Sequence, residues 1–204
     1  MNWKAGIKWA LVFLAFMLVL AVMRAINPVR NVTENAVRTI LKSQGYSKWE
    51  TYVLEEISFE SPVRLVYNEQ ESQSYSKTSA EPAVFRVYEA EQKFGDTSMQ
   101  FIHVTFKKAA IPDLNAHLRS SAERYFQSVG DTEIKYSIMP LKLQPFRAGR
   151  LSYLMKHTNP PMFSESIHLV KGNDYWIFHF IRPSDISVLA ENFIKNVHFA
   201  GAGE

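Results

Sequence analysis

The alternation of apolar and polar positions divides the chain into a membrane-like segment and a globular remainder. Trp9 to Met23 is an apolar run without one polar residue. As a helix rising about 1.5 Å per residue it covers about 22 Å, short of the roughly 30 Å hydrocarbon layer. Ile7, Ala25 and Ile26 lengthen it, while Lys8 and Arg24 can snorkel to the two interfaces beside the anchoring rings of Trp3 and Trp9. We read residues 9–26 as a single transmembrane signal-anchor helix. A cleaved signal peptide and a buried core helix are the rivals, and Val22-Met23-Arg24-Ala25-Ile26 lacks the small-x-small pair that cleavage wants.

Beyond the run, Pro28 stops a helix, and Thr33 to Gly45 frames a short amphipathic one. From Thr51 the period becomes extended, and strands are expected over 52–59, 63–67, 84–89, 99–107, 133–139, 150–157, 165–171 and 174–181. The polar stretch 68–82 reads as a long loop. Helical spacing returns in Leu114, His117, Leu118, Ala122, Tyr125 and Val129, and again in Ile186, Leu189, Ala190, Phe193, Ile194 and Val197. Gly172-Asn173 marks a hairpin whose two faces are both largely apolar, so helices are expected on both sides of the sheet. The expected fold class is therefore α+β: a mainly antiparallel sheet sandwiched between helices and preceded by one N-terminal transmembrane helix. The domains are a basic tail (1–8), the anchor (9–26), a juxtamembrane linker with its short helix (27–49), the sandwich (50–199) and a tail (200–204).

Two short stretches resemble the PsbP-like and DcrB-like domains. One is the opening Leu54-Glu-Glu-Ile-Ser-Phe-Glu-Ser-Pro-Val-Arg-Leu65. The other is the Gly-Asn hairpin leading to Tyr175-Trp-Ile-Phe-His-Phe180, followed by a helix ending Phe193-Ile-Lys-Asn-Val-His-Phe199. Over residues 50–199 the resemblance implies an antiparallel sheet flanked by helices. It also implies an accessory or assembly role at a membrane in place of catalysis, and it carries no functional residue across.

Charge sharpens this picture. The chain of 204 residues carries +3, but four of its 23 Lys and Arg lie in residues 1–30, which hold no acid. The other 19 face 20 Asp and Glu, so the remainder is nearly neutral and nucleic acid is not an expected partner. The absence of cysteine removes disulfides, thiolate metal sites and a cysteine nucleophile. Arg24, Arg30, Arg38 and Lys42 follow the run, and counting positive charges would put the domain inside the cytoplasm. The short basic tail entering the run is instead the signal-anchor pattern, and on that pattern the domain is expected outside, in a periplasmic position at the inner membrane.

No phosphate-binding glycine loop, nucleophile elbow or H-E-x-x-H helix occurs, and neither an enzyme nor a cofactor is expected. The metal candidates are His168 and His179, which share one face of the last hairpin, opposite or diagonal according to the turn. Hydrogen bonding within a covered sheet is the alternative for both, and His117 reads as a core residue. The partner-binding candidates are Met162 and Phe163, presented by the proline-stiffened loop His157–Phe163, with burial under the sheet edge as the alternative. The expected function is a membrane-anchored, non-enzymatic accessory domain that touches the bilayer through residues 9–26 and supports a membrane or envelope protein complex. A small-ligand or metal-binding domain, with a pocket lined by His168, His179 and Tyr175, is the second expectation.

Overall fold

The computed structural model describes residues 49–79, 82–91, 97–108, 111, 113–183 and 188–200. All of them belong to the compact unit Lys48–Glu204. The elements run β1 (Glu50–Leu54), β2 (Ile57–Ser61), β3 (Leu65–Tyr67), α1 (Glu69–Thr78), β4 (Ala83–Ala90), β5 (Ser98–Phe106), α2 (Leu114–Ser128), β6 (Tyr136–Leu141), β7 (Arg147–Met155), β8 (Met162–Lys171), β9 (Asp174–Arg182), α3 (Val188–Asn196) and β10 (His198–Phe199).

The strands form two sheets, β1-β2-β10 and the seven-stranded β3-β4-β5-β9-β8-β7-β6, paired antiparallel among the described residues. This corrects the expectation of one sheet sandwiched between helices. Among the described residues the chain is mostly antiparallel β with three short helices, and a second sheet shares with α3 the face where a helical layer alone was expected. What reads as one strand over 52–59 is a hairpin. Glu55 and Glu56 both take positive φ, 49° and 66°, as the two central residues of a tight primed turn must. Among the described residues no helix is long and apolar enough to cross a membrane. The segment expected to do so, residues 9–26, and the short helix expected over 33–45 lie outside the described residues.

Each face of the large sheet packs against different material. On one face Phe101 and Phe178 meet Phe59 of the small sheet at 5.5 and 4.7 Å between ring centroids, and Phe178 stacks on Phe193 of α3 at 4.0 Å. On the other face α2 lays Leu114, Leu118 and Ala122 against Val87, Ile102, Val104, Leu151 and Val170. Asp113 caps α2 by accepting from the Ala116 amide at 3.0 Å. Gly149 on β7 is the contact point for α2, since a Cβ there would come within 2.9 Å of Leu118 Cδ1.

Residues 68–82, expected as a loop, hold helix α1. Asn68 caps it through the Glu71 amide, and Ser72 and Ser76 face the sheet. Their hydroxyls accept from the amides of Val87 (2.9 Å) and Phe85 (3.3 Å) on β4. Strand β3 pairs only with the far end of β4, so these serines satisfy edge amides that would otherwise lack a ladder partner.

Candidate functional site

The β8–β9 hairpin turns through Gly172-Asn173, with Lys171 opposite Asp174 and Gly172 at φ +62°. That register places His179 opposite Ser166 and His168 opposite Ile177, so the two histidines are diagonal neighbours on the face covered by α2. Their ring nitrogens are directed at hydroxyls. His168 Nδ1 lies 2.5 Å from the Tyr175 hydroxyl and Nε2 2.6 Å from Ser166 Oγ, and His179 Nε2 lies 3.0 Å from Ser164 Oγ. A neutral imidazole is both donor and acceptor, and hydroxyls can answer either role.

Burial enforces that neutrality. Desolvation, followed by the charges of His117 and His179, pushes the His168 pKa down to about 3. Desolvation alone brings His179 to about 4 and pushes the Tyr175 phenol well above its usual range. Among the described residues no group of three or more His, Cys, Asp or Glu is arranged to hold a metal ion.

Beside this network lies a cavity of about 550 Å³ between α1, α2 and the sheet. The end of α1 contributes Tyr75, Thr78 and Ser79, the strands contribute Phe85, Val104, Phe106, Tyr175 and Ile177, and α2 contributes His117 and Arg124. Ile111 also lines it. Of the three residues expected to line a pocket, Tyr175 does so, whereas His168 sits behind it, joined through the phenol. His117, read as a core residue, reaches the cavity and meets the Tyr175 ring edge-on at 5.4 Å.

Met162 and Phe163 open strand β8, pairing with Met155 and Leu154, and both are half-buried. Phe163 also lies opposite Arg182, whose guanidinium carbon stands 6.0 Å from its ring centroid.

A second polar cluster, which sequence reasoning missed, occupies the opposite face. His103 lies between two carboxylates, with Nδ1 3.0 Å from Glu55 Oε2 and Nε2 2.9 Å from Asp174 Oδ1. Its ring stacks on Trp176 at 5.2 Å and 7°. The Trp176 indole donates to the Glu55 carbonyl at 2.9 Å, and the Tyr88 hydroxyl bonds the Glu55 carboxylate. These contacts hold the strained β1–β2 turn onto the large sheet. Farther along the same face, Glu165 is fully buried and joins Arg150 and Arg182, the latter at 2.6 Å. No sequence spacing relates Glu55 to Asp174; only the pairing of β5 with β9 brings His103 and Thr105 beside Trp176 and Asp174.

The chain matches no protein-family model and no curated protein.

Proposed function

We propose that the chain is a non-enzymatic accessory domain that supports a membrane or envelope complex and is held at the bilayer by residues 9–26. The observation that carries this reading is the unbroken apolar run Trp9–Met23, bounded by Lys8 and Arg24, on a chain whose remainder is nearly neutral. The resemblance of residues 50–199 to PsbP-like domains supports the same role. Attachment would confine the domain to a thin layer beside the membrane and raise its effective concentration toward partners there. On this reading the domain lies outside the cytoplasm.

The test is fractionation of cells expressing the full chain, N-terminal sequencing, and mild solubilisation with mass-spectrometric identification of what co-purifies. The expected result is an intact amino terminus, retention with membranes after an alkaline wash, and a recurrent membrane-protein partner. A polypeptide that begins beyond Met23 and partitions into the aqueous fraction would overturn the attachment. A domain that repeatedly emerges alone would overturn the accessory role. A reporter enzyme active only outside the cytoplasm, fused after Gly203, checks the orientation.

A further inference from the structure

We infer that the cavity between α1, α2 and the large sheet is a binding site for a small planar aromatic carboxylate. The site stands on its own geometry and does not depend on membrane attachment. Its volume of about 550 Å³ falls within the range that encloses small organic ligands, and such pockets combine apolar walls with few polar groups.

Two features select the ligand. Aromatic pairs form much of the wall: Tyr75 stacks on Phe85 at 5.8 Å and 19°, and His117 meets Tyr175 edge-on. Flat rings favour offset-stacked or edge-on contact with another flat ring over contact with a flexible chain. Charge gives the second feature. Among the described residues of the lining, Arg124 is the one permanently charged side chain. Its side chain is exposed, its Nε donates to the Ser120 carbonyl at 3.3 Å, and among the described residues no carboxylate pairs with it. A guanidinium at the margin of an aromatic cavity matches a carboxylate on an aromatic body, because its remaining donors form a planar fork complementary to two oxygens. The Tyr175 hydroxyl is already engaged by His168, so that phenol presents its ring to the cavity.

The experiment titrates 2-naphthoate, the neutral 2-naphthamide and dodecanoate into the full chain by calorimetry. The chain is kept in buffer or, where it partitions with lipid, in phosphatidylcholine nanodiscs with empty discs as reference. Saturable 2-naphthoate binding is expected, with 2-naphthamide weaker by about tenfold or more, the size of one charge-assisted hydrogen bond. Arg124→Gln should erase that preference. Thr78→Trp, at an exposed position of the lining, should abolish binding of both aromatic probes; an unchanged melting temperature in both variants shows that the fold is kept. Equal affinity for the acid and the amide, tighter binding of dodecanoate, binding undisturbed by Thr78→Trp, or no saturable binding of 2-naphthoate would each overturn the proposal.

Discussion

The two faces of the seven-stranded sheet bury polar groups in opposite ways. Toward the small sheet and α3, carboxylates are matched with nitrogen groups: Glu165 with the Arg150 and Arg182 guanidiniums, and Glu55 and Asp174 with the two ring nitrogens of His103. These groups sit beside a cluster of phenylalanines. Toward α2, imidazoles are matched with hydroxyls and are held neutral. Both solutions obey one rule, that a polar group leaves water only when partners inside replace it. They differ in what happens when a partner is removed. An ion left alone in a dry interior is far costlier than a hydroxyl left alone.

The sharpest way to break the contrast is Glu165→Ala. It strips two guanidiniums of a buried counter-charge and should lower stability by about 4–5 kcal/mol in urea denaturation. Tyr175→Phe, the counterpart on the other face, removes one hydroxyl from His168 and should lower it by only about 1–2 kcal/mol. Phe178→Ala empties the centre of the aromatic cluster. It should lower stability by about 3–4 kcal/mol, read from the same transition.

Acid separates the faces by another route. Unfolded histidines take up protons near pH 6.5, whereas folded His168 and His179 resist until about pH 3 and 4. The unfolded state therefore binds more protons in this window, and stability falls as pH is lowered. Their contribution is full above pH 6.5 and is lost as pH falls through the folded values. Between pH 6.5 and 5.5 the two together should remove roughly 2 kcal/mol, and replacing both by Gln should flatten that part of the profile. The smallest effect is expected at the β1–β2 turn. Glu56 is exposed at φ 66°, a conformation glycine adopts without a steric penalty, so Glu56→Gly should raise the melting temperature through a gain of about 0.5–1 kcal/mol.

How much of this could be read from residue order depends on which groups face inward. Helix α2 was legible because Leu114, Leu118 and Ala122 repeat at helical spacing. The last hairpin was legible because Gly172-Asn173 interrupts two apolar runs. Helix α1 escaped because its inward groups are Ser72 and Ser76, hydroxyls in service of β4 amides, which hydrophobic periodicity does not register. The turn at Glu55-Glu56 escaped because neither residue is the glycine or asparagine that such a turn prefers. That error hid the small sheet, which shares with α3 the face where a helix alone was expected. For the site, the shared face of His168 and His179 followed from alternation. Their hydroxyl partners, and the Glu55–His103–Asp174 cluster, required strand order.

In the small sheet, β2 lies between β1, which pairs with it from Glu50 to Leu54, and β10, which pairs at His198 and Phe199. One five-residue strand thus gathers the first and last strands of the domain, leaving Glu50 and Phe199 near its opposite ends, roughly 13 Å apart along the strand axis at about 3.3 Å per residue. The domain is accordingly suited to circular permutation: a short glycine-serine bridge joining Phe199 to Glu50, with new termini opened at Gly172-Asn173, would preserve every strand neighbour while reversing which end of the polypeptide is made first.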